Sequence, residues 1–130
     1  MSFEPVSERE EEIAEQIVDA ALKVHRELGP GLLEKIYEAC LYRELEKRGL
    51  STARQVTVAI EYDGEIFDEG LRLDILVENL VICELKAVEK LNPLWEAQVI
   101  SHLKLMKKRL GFLINFNVLR IKDGIKRIIV

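Results

Sequence analysis

Leu71-Arg72-Leu73-Asp74-Ile75-Leu76-Val77-Glu78-Asn79-Leu80-Val81-Ile82-Cys83-Glu84-Leu85-Lys86 is the stretch that decides the fold. Leu71, Leu73, Ile75 and Val77 alternate with Arg72, Asp74 and Leu76, the period-2 signature of a β-strand. Val81, Cys83 and Leu85 alternate in turn with Ile82, Glu84 and Lys86. A tight turn at Glu78-Asn79-Leu80 joins the two runs into a hairpin. Closing that hairpin places Asp74 opposite Glu84 or one position away, side by side on one face. Lys86 follows two residues beyond Glu84, roughly 7 Å along the strand. Two carboxylates and an ammonium thus occupy a half-buried sheet face where valine would fit. Such charges are costly there unless paired with each other or with a metal.

Outward from the hairpin, the elements follow from local signals. Residues 7 to 28 read as an amphipathic helix, with Ser7 as N-cap and Glu10 completing a capping box. Ile13, Ile17, Ala20, Ala21, Val24 and Leu28 are its apolar stripe, and Gly29-Pro30-Gly31 ends it. A second helix runs from about Leu32 to Arg48 on Leu33, Ile36, Tyr37, Cys40, Leu41 and Leu45, with Gly49 as C-cap. Gln55 to Tyr62 reads as a strand, followed by an Asp63-Gly64 turn. The next strand spans Glu65 to Val77, with an irregularity expected at Glu69-Gly70.

Beyond the hairpin, Asn92-Pro93 starts a helix that continues to about Lys108, with Trp95, Val99, Leu103 and Met106 inward. Leu110 to Phe116 is nearly all apolar, as in a strand covered on both faces. Ile125 to Val130 is a last strand after the Asp123-Gly124 turn. The order is helix, helix, three antiparallel strands, helix, strand, strand. It gives an α/β (α+β) fold with a mixed central sheet flanked by helices.

The 130 residues fit one domain, residues 1–130, and 48% hydrophobic composition supplies its core. No apolar run is long enough to span a bilayer, and the acidic start lacks a signal-peptide pattern, so a cytoplasmic location is expected. Cys40 and Cys83 are too far apart in sequence for a zinc-ligand pair and read as buried free thiols. Charge is unevenly spread. Residues 1–84 carry 9 Lys and Arg against 20 Asp and Glu, whereas residues 85–130 carry 10 against 3. The basic half, including Lys104, Lys107, Lys108 and Arg109, is either a solvated face or a surface for a polyanion. The net charge of −4 excludes only a protein that coats nucleic acid without preference.

Asp74, Glu84 and Lys86 form a D-x9-E-x-K pattern. Phosphodiester hydrolysis needs such a set: two carboxylates can hold Mg²⁺, which prefers hard oxygen ligands. The lysine can position an attacking water or offset developing negative charge. The competing reading is a surface ion pair of Lys86 with Asp74 or Glu84. Glu34 and Tyr37, in Gly31-x-x-Glu34-x-x-Tyr37, lie three apart on one helix face, although an acid in a helix's first turn is also favoured by the macrodipole. Gln98 and His102 lie four apart on the third long helix and read equally as an ordinary polar edge. No Ser-His-Asp or Cys-His spacing and no Gly-rich phosphate loop is present.

Taken together, Gly31-x-x-Glu34-x-x-Tyr37, Leu73-Asp74-Ile75-Leu76-Val77, Glu84-Leu85-Lys86-Ala87, Glu96-Ala97-Gln98 and Gly111-Phe112-Leu113-Ile114-Asn115-Phe116 resemble the small GxxExxY proteins of the PD-(D/E)xK nuclease superfamily. The resemblance covers about Ile13 to Val130 and implies the restriction-endonuclease-like α-β-β-β-α-β core. It implies Glu34 as the helix acid near the site, and Asp74 and Glu84 as metal ligands with the Leu85 backbone carbonyl as a third. Lys86 becomes the catalytic lysine, with Tyr37, Gln98 and His102 supporting site or substrate. His102 departs from the related Q-x-x-x-Y motif, which has tyrosine there. The expected function is Mg²⁺-dependent (alternatively Mn²⁺-dependent) cleavage of DNA. The rival is a binding or regulatory module that keeps the fold without hydrolysis. A chain this small is expected to need a second copy or a partner protein to grip a duplex.

Overall fold

The computed structural model describes residues 5–130. Helix α1 spans Glu8–Leu28 and α2 Glu34–Lys47; strands β1 (Thr52–Tyr62), β2 (Glu65–Val77) and β3 (Val81–Lys86) follow. Helix α3 (Pro93–Met106), β4 (Leu110–Asn115), a 3-10 turn (Ile121–Asp123) and β5 (Ile125–Ile129) complete the order. The sheet has the order β1-β2-β3-β4-β5, with β3 and β4 parallel and every other pair antiparallel. The α+β class with a mixed central sheet is therefore as the residue pattern implies.

Local chemistry sets the boundaries. Ser7 caps α1: its Oγ accepts from the Glu10 N–H while Glu10 Oε1 accepts from the Ser7 N–H at 2.9 Å. Asn92 Oδ1 caps α3 by accepting from the Leu94 N–H, with Pro93 at the first helical position. The β2–β3 turn takes positive φ at both Glu78 and Asn79, and the Leu80 N–H closes onto the Val77 carbonyl. That is a type I′ turn, whose twist matches the strands it joins. The irregularity expected near Glu69-Gly70 is present as a register shift between Val58 and Ile60. A Cβ on Gly70 would fall 2.4 Å from Ile60 Cγ1, so that contact requires glycine.

The two faces of the sheet carry separate cores. Helices α1 and α2 cover one face, packing Ile13, Ile17, Tyr37, Leu41 and Leu45 on Ile75, Cys83, Leu85, Phe112 and Ile114. Helix α3 covers the other, with Val99 and Leu103 on Leu73, Leu76, Ile82 and Leu113. Strand β4 is buried along its whole length because it lies between both layers. Its Gly111 lets α3 approach closely: a Cβ there would meet Val99 Cγ1 at 3.1 Å.

Three side chains assigned to apolar stripes face outward instead: Leu33 is 65% exposed, Ile36 40% and Leu28 37%. Leu33 is the extended N-cap of α2 and lies outside the helical phase. The inner face of α2 is the narrow set Tyr37, Glu38, Leu41 and Leu45, so a carboxylate takes a place expected to be apolar. Cys83 is buried and Cys40 half-buried, both as free thiols. No helix among the described residues is long and apolar enough to cross a membrane.

Candidate active site

The β2–β3 ladder pairs Val77 with Val81, Leu76 with Ile82 and Ile75 with Cys83, and stops there. Asp74 and Glu84 would come next. Their backbones part, and side chains replace the missing ladder bonds. Glu84 Oε1 accepts from the Asp74 N–H at 3.2 Å, and Asp74 Oδ2 accepts from the Leu85 N–H at 2.8 Å. Each carboxylate thus spends one oxygen on its neighbour's strand. The pair lies toward the carboxyl end of β3, beside its parallel neighbour β4, the region where open sheets containing parallel strands form their clefts.

Lys86 shares the α3 face of β3 with Glu84, and its ammonium lies 4.5 Å from the centroid of the Trp95 ring. The indole face holds the cation without neutralising it. Trp95 reads in sequence as an apolar contact of α3; nothing in its spacing marks it as the seat of Lys86. The segment leaving β3 is fastened by Asn115, which is 3% exposed. Its Nδ2 donates to the Val88 carbonyl at 2.9 Å, and its Oδ1 accepts from the Val88 and Asn117 N–H groups. The Phe116 N–H donates to the Lys86 carbonyl.

The electrostatics are those of crowded anions. Burial, and then the Asp74 charge, push Glu84 up to about 8, against the opposing pull of the Asp74 N–H and of Lys86. Glu34, exposed at the start of α2, is also raised, first by partial desolvation and then by Asp74, with Lys86 opposing. Burial lowers His102 while the Asp74 charge raises it, and its buried Nδ1 has no hydrogen-bond partner among the described residues. Asp74 is thus felt by α2 on one side of the sheet and by α3 on the other. The neighbouring Cys83 thiol is pushed up by burial and by both carboxylates, so it stays protonated.

The structure gathers Asp74, Glu84 and Lys86, and brings Glu34 and His102 within electrostatic reach of Asp74. Among the described residues, no three His, Cys, Asp or Glu side chains form a ready-made cation cage. The donor set nevertheless suits a hard cation: the adjacent carboxylate oxygens of Asp74 and Glu84, with the Lys86 ammonium resting on Trp95 rather than ion-paired to either.

Tyr37 is wholly buried. Its hydroxyl donates to the Gly29 carbonyl at 2.6 Å and accepts from the Leu32 N–H at 3.1 Å, while its ring stacks on Phe116 at 4.7 Å. It braces the loop that delivers Glu34. Gln98 is exposed on α3, one turn before His102. The basic run at Lys107, Lys108 and Arg109 lies elsewhere. It adjoins Leu110, which pairs with Val81, whereas Lys86 pairs with Asn115 five residues on, roughly 16 Å along the sheet.

The family model described as the PD-(D/E)XK nuclease superfamily matches residues 11–128. No curated protein and no solved structure matches the chain.

Proposed function

We propose that this chain, which belongs to the PD-(D/E)XK nuclease superfamily, is a divalent-metal-dependent nuclease that hydrolyses phosphodiester bonds in DNA. Gly31-x-x-Glu34-x-x-Tyr37 supports placing it, within the superfamily, in the GxxExxY group. The observation that carries the reading is the parted end of the β2–β3 hairpin, where Asp74 and Glu84 lie against each other's backbones with Lys86 two residues on. A salt bridge built only for stability would pair Lys86 with a carboxylate. Instead Lys86 rests on Trp95, and Glu84 is left to share its surroundings with Asp74.

Asp74, Glu84, the Leu85 carbonyl and Glu34 would hold the ion, which we assign as Mg²⁺, with Mn²⁺ as the alternative. When bound, the ion supplies a Lewis acid that acidifies water and offsets charge building on the phosphate. The chain's own residues do the rest. Glu84 must lose its proton before it can act as a ligand, so loading releases a proton near neutral pH. Lys86, held over Trp95, offers its ammonium to a phosphate oxygen or orients the attacking water. Tyr37 keeps Glu34 at the rim through the Gly29–Leu32 loop. Gln98 is available to substrate from solvent, and His102, neutral and half-buried, stands where related sites carry tyrosine. The free thiols of Cys40 and Cys83 suit a reducing compartment, which supports the cytoplasm. A second copy or a partner protein would supply the duplex grip that this small surface lacks.

The test is cleavage of plasmid and single-stranded DNA with and without Mg²⁺, comparing wild type with Lys86→Ala. Removing one transition-state charge contact should lower the rate by at least about a hundredfold. Equal rates in clean preparations would assign the activity to a contaminant and favour a module that binds nucleic acid without cutting it.

A further inference from the structure

Asp74 sits where two strands turn over together. In a regular strand, residues two apart share a face. Here Ile75 joins the α1/α2 core while Leu73 joins the α3 core. Across the ladder, Arg54 reaches Glu38 on α2 while Val56 packs into the α3 core. The register runs Arg54↔Ile75 and then Val56↔Leu73, skipping Gln55 and Asp74, which lie opposite each other. Both strands therefore change face at that pair, and Asp74 belongs to neither layer. That is how its charge reaches both Glu34 and His102.

The turnover has a visible cause. Gln55 carries φ +50°, a left-handed conformation that a residue with a Cβ rarely adopts inside a strand. Its side chain is held by Glu38, whose own side chain is 8% exposed. Glu38 accepts from Gln55 Nε2 and, at 3.3 Å, from Arg54 Nη2. A buried carboxylate on the inner face of a helix is costly where leucine would fit. Glu38 lies one turn after Glu34, so the same helix that presents Glu34 holds the strand opposite Asp74.

We infer that Glu38 and Gln55 are positioning residues for Asp74, forming a clamp that fixes the face change and so aims the Asp74 carboxylate at Glu84 and the Leu85 N–H. Its functional meaning rests on the reading of Asp74 as a metal ligand. Without the clamp, β1 and β2 run on as a regular pair. Asp74 then follows one neighbour's parity, Arg72's toward the α1/α2 face or Leu76's toward the α3 face, and leaves the position between the layers from which it accepts from the Leu85 N–H.

The experiment compares wild type with Gln55→Val, Glu38→Ala and Glu38→Gln, and with Val24→Ala, a cavity-forming core variant on α1 that leaves the Glu38 and Gln55 side chains in place. Valine disfavours the left-handed conformation and cannot reach Glu38; glutamine at 38 still accepts from Gln55. The first readout is amide hydrogen exchange on metal-free protein. Gln55→Val and Glu38→Ala should speed exchange of the Leu85 amide by at least about tenfold beyond the change in Val24→Ala, with Glu38→Gln close to wild type. The second readout is Tb³⁺ luminescence sensitised by Trp95, the chain's single tryptophan, in which the two clamp variants should bind at least about tenfold more weakly. Leu85 protection that falls only in step with Val24→Ala overturns the inference. So does Glu38→Gln behaving like Glu38→Ala. Should Glu38→Ala fail to fold, Gln55→Val carries the comparison. A wild type that binds no Tb³⁺ counts against the metal site, while the Leu85 amide still decides the clamp.

Discussion

Replacing Glu84 by Gln tests the electrostatics of the site without a metal or a substrate. Glu84 is pushed up to about 8 in the folded chain, chiefly by burial and then by Asp74, from an ordinary 4.5. A carboxyl whose folded value is raised favours folding least where the unfolded chain has already ionised. Below about pH 4.5 both states hold the proton and there is no penalty. Between about 4.5 and 8 the folded state must keep a proton that the unfolded state has released. Stability therefore falls as pH rises through that window, by up to about 1.4 kcal/mol per unit. By pH 7 the loss is on the order of 3 kcal/mol, or roughly 10 °C for a chain of this size. Glutamine keeps the carbonyl that accepts from the Asp74 N–H and never ionises. Metal-free Glu84→Gln should thus melt close to wild type at pH 4, and well above it at pH 7 to 8. The assay is a series of chelator-treated melting curves from pH 4 to 9, read as mutant minus wild type so that other titrations cancel. A difference that stays constant with pH would refute the crowded, proton-holding site. A mutant less stable than wild type throughout would make Glu84 a structural anion.

Asp74→Asn should also melt above metal-free wild type at neutral pH, because it removes the charge that raises Glu84. In calorimetry or melting curves it should lose most of the stabilisation that Ca²⁺ gives wild type, about 1.4 kcal/mol at ten times the dissociation constant; equal shifts would remove Asp74 from the ligand set. Tyr37→Phe leaves the Gly29 carbonyl and the Leu32 N–H without their partner and should cost about 1 to 3 kcal/mol in denaturant unfolding; an unchanged midpoint would mean that the loop does not depend on it. If DNA lies across the Glu84–Lys86 end of the sheet, Lys107→Gln with Lys108→Gln should leave the salt dependence of DNA affinity nearly unchanged. A log–log slope that falls by about 2 would place phosphates at the far end instead.

Much of this protein is written in its local chemistry. The capping box at Ser7 and Glu10, the Asn92-Pro93 start and the alternation around Asp74 and Glu84 act over three or four residues, so the sequence by itself determined the element order and the hairpin that carries Asp74, Glu84 and Lys86. That Asp74 and Glu84 lie near each other follows from a turn and a strand period; that each carboxylate accepts from the other strand's backbone does not. Tertiary structure decided what depends on distant segments meeting. Leu33 and Ile36 fit a helical stripe, yet face outward because the helix begins at Glu34 and packs a narrower face. Lys86 lies over Trp95 because α3 crosses the face of β3 that Glu84 and Lys86 share. The basic run at Lys107 to Arg109 is set apart from the site by the parallel register of β3 and β4, which no charge count reveals. The face change at Gln55 and Asp74 breaks the period on which strand reading relies. It needs a buried Glu38 from another element to hold a backbone angle that the local sequence disfavours, so only the packed fold could specify it.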